Sequence, residues 1–90
     1  MVEYLQIIYA KSAIKAISAL ERSIKQRIKE GIEGLTKVPP IGDIKQLQGY
    51  DSVTYRLRIG KYRVLYWYSI INEEQVLIIK DIGSRGDIYK

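Results

Sequence analysis

One stretch constrains the fold more than any other: Tyr55-Arg56-Leu57-Arg58-Ile59-Gly60-Lys61-Tyr62-Arg63-Val64-Leu65-Tyr66. Tyr55, Leu57 and Ile59 alternate with Arg56 and Arg58, the period of a strand buried on one face. Gly60-Lys61 is a two-residue turn with glycine first, as a type II′ hairpin requires. The turn sets the register: Ile59 falls opposite Tyr62, Arg58 opposite Arg63, and Leu57 opposite Val64. Opposed residues share a face, so Leu57, Ile59, Tyr62, Val64 and Tyr66 line one side. Arg56, Arg58, Arg63 and Leu65 line the other. Like charges directly across a ladder destabilise it. The Arg58/Arg63 pair therefore predicts an anion at this face, and phosphate is the anion that arginine's planar fork fits best.

The rest of the chain limits what such a face can serve. Ninety residues with 47% hydrophobic content predict a folded, single small domain spanning residues 1–90. No apolar run is long enough to cross a bilayer. Met1-Val2-Glu3-Tyr4 lacks the basic start of a signal peptide. Cysteine is absent, so neither a disulfide framework nor a thiolate zinc site is available. The cytoplasm is the expected compartment. The net charge of +5 suits a polyanion or an acidic protein partner. Six of nine lysines precede residue 50, whereas four of six arginines follow it, so arginine marks the candidate site. Histidine is absent as well. That removes the usual proton-transfer group at neutral pH, the commonest metal ligand and the base of a Ser-His-Asp triad. No metal or cofactor is expected, and any catalysis must use Arg, Lys, Tyr, Asp or Glu.

Val2 to Tyr9 reads as a first strand. Ser12 to Leu20 reads as a helix with Ala13, Ile14, Ala16, Ile17 and Leu20 inward. Glu21 to Lys37 reads as a second helix on Ile24, Ile28, Ile32 and Leu35, weakened by Gly31 and Gly34 and stopped by Val38-Pro39-Pro40. Ile41 to Gln46 reads as a loop. Three strands follow: Ser52 to Ile59, Tyr62 to Ile70, and Gln75 to Ile82 after a turn at Asn72-Glu73-Glu74. The predicted class is α+β: an N-terminal strand, a two-helix hairpin and a three-strand antiparallel meander. The helices cover one sheet face and leave the arginine face open. A symmetric turn about Glu73-Glu74 would pair Arg63 with Ser84 and bring Arg85 out beside the other arginines.

With these residues in place, the chain resembles the RelE/ParE toxin family of toxin–antitoxin systems over nearly its whole length. Lys45-Gln46-Leu47-Gln48-Gly49 is similar to the family's K-x-L-x-G entry to the sheet. The Tyr55–Tyr66 hairpin is similar to its Y-R-x-R-x-G-x-Y-R-x-x-Y core, and Ile82-Gly83-Ser84-Arg85 with Tyr89 to its terminal G-x-R…Y. The resemblance implies a ribosome-dependent endoribonuclease that cuts mRNA in the decoding site and is silenced by a cognate acidic, RelB-like antitoxin. It places the catalytic and RNA-binding set at Arg56, Arg58, Arg63 and Arg85, with Tyr89 completing the catalytic group. Three departures stand out: RelE nucleases carry lysines where this chain has Arg56 and Arg58, many carry histidine where it has Ser84, and some continue into a C-terminal helix beyond the position of Lys90.

Such a site can cleave RNA without metal. The 2′-OH attacks the adjacent phosphorus and leaves a 2′,3′-cyclic phosphate and a 5′-OH. The protein must align the attack, stabilise the added charge and protonate the leaving oxygen. Arg56, Arg63 and Arg85 are assigned to phosphate clamping and transition-state charge. Arg58, which cannot release its proton, is assigned to orienting the 2′-OH or binding phosphate. Tyr89, with a phenol pKa lowered by neighbouring arginines, is a base or a stacking surface. Asp81 and Asp87 are carboxylate alternatives. The competing readings are plainer: the hairpin arginines as a solvated strand face, Arg85 paired with Asp87 or Asp81, Tyr89 as packing, and Tyr62, Tyr66, Tyr68 and Trp67 as core or sheet packing. Two rival functions share the fold: a ParE-like inhibitor of DNA gyrase, and a non-catalytic module that binds RNA or antitoxin.

Overall fold

The computed structural model describes residues 5–49 and 53–84. A short strand, β1 (Gln6–Tyr9), leads into two helices, α1 (Lys11–Ser18) and α2 (Arg22–Gly34). Four strands follow: β2 (Asp43–Leu47), β3 (Thr54–Ile59), β4 (Tyr62–Ile71) and β5 (Glu74–Ser84). They form one five-stranded sheet in the order β1-β5-β4-β3-β2. β1 runs parallel to β5, and every other pairing is antiparallel. The helices supply the crossover that a parallel β1–β5 pairing needs. The predicted α+β class is the observed one.

The hairpin register is as its turn dictates: Ile59 pairs with Tyr62, Arg58 with Arg63 and Leu57 with Val64. Gly60 has φ of 58°, the left-handed geometry that glycine adopts without penalty. Two sequence expectations need correction. The segment read as a loop, Ile41 to Gln46, contains β2, which pairs along β3 from Asp43↔Arg58 to Leu47↔Thr54. The antiparallel meander therefore has four strands. An edge strand can be polar and short, which hides it from a search for apolar alternation. The second correction is the β4–β5 register: Arg63 pairs with Gly83, and Ser84 pairs with Tyr62. The turn closes on Asn72-Glu73 alone, both at positive φ, and Glu74 already belongs to β5. A bulge between Leu65 and Tyr66 then inserts Lys80 as an extra residue, since Tyr66 faces Ile79 but Leu65 faces Asp81.

Alternation along β3, β4 and β5 sends Leu57, Val64, Tyr66, Leu77, Ile79 and Ile82 to the helix side. There they form the core with Ala13, Ile28, Ile32 and Leu35. The α2 stripe is as expected. In α1 the expected inward Ile14 is 54% exposed, and Ala13 is the fully buried position. Ser12 Oγ donates to the Lys80 carbonyl at 2.9 Å, fastening α1 to the bulge. Tyr68 Oη donates to the Leu35 carbonyl at 2.9 Å, fastening the end of α2 to β4.

Tyr55, Tyr66 and Tyr68 form an aromatic cluster under the helices, with Tyr55 and Tyr66 stacked at 5.5 Å between centroids. Burial, reinforced by neighbouring phenols, pushes the Tyr66 hydroxyl well above the ordinary tyrosine range, and Tyr68 shifts the same way. An acid whose folded pKa is raised holds its proton more tightly when folded. Its contribution is complete below the unfolded tyrosine pKa of about 10 and is lost as pH rises past it. The urea midpoint should therefore fall on raising the pH above about 10, and Tyr66→Phe should shrink that fall. An unchanged alkaline slope in Tyr66→Phe would contradict this assignment.

Candidate functional site

The sheet face away from the helices carries the charge. β3 presents Arg56 and Arg58 there because Tyr55, Leu57 and Ile59 pack on the helix side and fix its phase, and β4 presents Arg63 directly across from Arg58. The structure thus brings together three of the five residues expected from sequence. Arg85 and Tyr89, with Asp87, lie outside the described residues.

What the sequence reading missed is Asp43. As the first residue of β2 it pairs with Arg58. Its Oδ2 accepts from Arg58 Nε at 2.7 Å and also lies 2.7 Å from Nη2. Its Oδ1 lies 3.5 Å from Arg56 Nη1. The compensation expected from a bound phosphate is therefore partly supplied by the protein's own carboxylate. The signal was present in Asp43-Ile44-Lys45, a charged–apolar–charged alternation, but it became readable only once that segment paired with β3.

The three arginines are not equivalent. The Arg56 side chain is only 12% exposed, and its cross-strand partner Leu65 is buried although it faces away from the helices. Arg58 is 52% exposed with its Nε edge on Asp43, leaving Nη1 free of that carboxylate. Arg63 forms no ion pair with any described residue. The open end of the site is thus Arg63 together with the far edge of Arg58. Asp81 Oδ1 accepts the Ile82 N–H at 2.9 Å and faces Leu65, one row away. Trp67 shares this face, with Lys80 Nζ 5.9 Å from its ring centroid. Tyr62, Tyr66 and Tyr68 lie on the helix side, where they pack.

Among the described residues, no group of His, Cys, Asp or Glu could hold a metal ion, and no helix is long and apolar enough to cross a membrane. An open concavity of about 870 Å³, lined in part by Leu35, Val38, Pro40, Tyr68 and Glu73, includes none of the arginines. The arginines stand on the open sheet face instead.

The model of the ParE toxin family of type II toxin–antitoxin systems matches residues 4–89. RelE1 of Methanocaldococcus jannaschii is 40% identical over 84 residues, covering 89% of each chain. Toxin RelE3 of the same organism is 28% identical over 89 residues, covering 94% of this chain and 96% of its own. The chain belongs to the RelE/ParE toxin family and is a toxin of a type II toxin–antitoxin system. Among solved structures, the archaeal RelE–RelB complex from Pyrococcus horikoshii OT3 superposes with a TM-score of 0.70 at 28% identity, covering 94% of this chain and 99% of that one. The isolated RelE toxin of E. coli, at 21% identity and a TM-score of 0.67, shares the fold, with coverage of 97% and 92%.

Proposed function

We propose that this toxin is a metal-independent, ribosome-dependent endoribonuclease that cleaves mRNA by attack of a 2′-OH on the adjacent phosphate. One observation carries the reading: Arg63, without an ion pair among the described residues, stands directly across from the half-exposed Arg58 on the open sheet face. Two guanidiniums in register form a clamp for one phosphate and for the charge that builds on it in the transition state. Arg56, largely withdrawn from solvent, supports this clamp from the next position on β3. Arg85 follows β5 and supplies a further cation. Tyr89 is the tail's candidate for proton transfer or stacking. The ribosome supplies the RNA geometry, because a flat face has no cleft to impose it. The same face binds an acidic, RelB-like antitoxin in the cytoplasm. A RelB partner is present in the complex from Pyrococcus horikoshii.

The test is cleavage on programmed ribosomes with analysis of the RNA ends. A 2′,3′-cyclic phosphate and a 5′-OH are the expected products. Their absence on every programmed ribosome would overturn the nuclease reading. The matching family model is described by ParE, so a gyrase supercoiling assay is run in parallel. Gyrase inhibition without RNA cleavage would establish the rival function.

Salt dependence tests the site separately. Affinity for ribosomes carrying non-cleavable mRNA should fall steeply as salt rises, because bound phosphates release their counterions. Arg63→Ala should flatten that slope by about one phosphate contact. Lys29→Ala, on the exposed side of α2, should leave it unchanged. Equal effects from both would mean that the charge acts diffusely.

A further inference from the structure

We propose that Asp43 is the general base of the cleavage reaction, accepting the proton of the attacking 2′-OH; this rests on the nuclease reading above. That reaction needs an acceptor, and among the described residues Asp43 is the one placed for it; Tyr89 and Asp87 lie outside them. The chain contains no histidine. Guanidiniums hold their protons throughout the working range. The Tyr66 and Tyr68 phenols lie on the opposite face with their pKa values raised by burial. Asp81 is turned to a backbone N–H and faces Leu65.

Asp43 has the required position. It is 46% exposed and sits on the Nε/Nη2 side of Arg58. A guanidinium has five donors in a rigid fork, so the opposite edge stays available to a phosphate oxygen. Asp43, Arg58 and Arg63 stand in one row across β2, β3 and β4. With strands about 4.8 Å apart, a phosphate held between Arg58 and Arg63 brings the neighbouring ribose within side-chain reach of Asp43. Base and electrophile are thus mounted on the two edges of one side chain. The chain's approach to β2 is also tightly defined. Gly42 has φ of 138°, and a Cβ there would lie 2.6 Å from Leu57 Cδ1, so only glycine lets β2 start at Asp43 in this register.

The step balances without a co-reactant. The 2′-oxygen forms a bond to phosphorus, its proton passes to the Asp43 carboxylate, and the bond from phosphorus to the 5′-oxygen breaks. The departing 5′-oxygen takes a proton from water. The charged groups around the carboxylate are Arg56 and Arg58 from β3, Lys45 from its own strand and, one strand further, Arg63.

The experiment compares wild type with Asp43→Asn and Asp43→Glu in single-turnover cleavage on programmed ribosomes across a pH series. Binding is measured separately with mRNA carrying a 2′-deoxy group at the cleavage site. Asp43→Asn keeps the size and one acceptor oxygen but cannot take the proton. It should cleave about 10²–10³-fold more slowly. It should bind the 2′-deoxy RNA as well as or better than wild type, since a competing anion is gone. A decline in rate on acidification is expected of wild type, absent from Asp43→Asn, and present in Asp43→Glu together with part of the rate. Asp43→Asn cleaving at the wild-type rate or faster would make the carboxylate a mere competitor of phosphate and overturn the proposal. So would parallel losses of binding and cleavage with the acidic decline intact, which would mark a structural clasp. Absence of cleavage by wild type overturns the nuclease reading and this one with it.

Discussion

Replacing Arg63 by alanine is expected to slow single-turnover cleavage of ribosome-bound mRNA by about 10²–10³-fold, the range for loss of one preorganised transition-state donor. The fold should survive. Arg63 makes no ion pair with a described residue, so its removal leaves no charge stranded. Binding should weaken far less than the rate falls, because the charge that Arg63 meets is larger in the phosphorane than in the bound diester. Arg56→Ala should behave differently. Its side chain is largely buried opposite Leu65 and shares Asp43 with Arg58. Truncating it should lower stability as well as activity, since long arginine stems cover apolar surface. Circular dichroism and urea melts alongside the kinetics separate the two cases. A normal cleavage rate in Arg63→Ala would remove the residue from the site.

The second large effect concerns the helix layer. Ile32 is fully buried where α2 meets the sheet. Ile32→Ala should cost about 2–5 kcal/mol of unfolding free energy, and Ile32→Val about 0.5–1.5. For a domain of this size the larger value is a substantial share of the total. The measurement is the urea midpoint at unchanged slope, which isolates stability from changes in the unfolded chain. Ile14→Ala is the companion on α1. Ile14 is more than half exposed, so the change should cost well under the Ile32 value. Similar losses at both positions would mean that the helices pack otherwise than described.

The hairpin was legible in the sequence because its information is local. Two-residue alternation, a glycine-led turn and a turn-fixed register are short-range properties, and together they put Arg56, Arg58 and Arg63 on one face before any tertiary contact is considered. The α2 stripe was legible for the same reason: Ile28, Ile32 and Leu35 follow helical spacing, and burial of that stripe needs only an apolar sheet to receive it. Family membership was legible in the order and spacing of these same motifs. Ile14 was misread because a helix's apolar stripe can be wider than the surface that covers it.

Tertiary structure alone decided β2, the β4–β5 register and the counter-ion. Asp43-Ile44-Lys45-Gln46-Leu47 has little intrinsic strand character, and it is a strand because β3 offers an unpaired edge. The register of β5 depends on where the chain places one extra residue, Lys80. A bulge leaves no periodic trace in so short a segment. Asp43 reaches Arg58 only because that edge pairing brings together residues separated by 15 positions. A local pattern shows which charges share a face. The partner that neutralises them is set by long-range pairing, which no window of sequence contains.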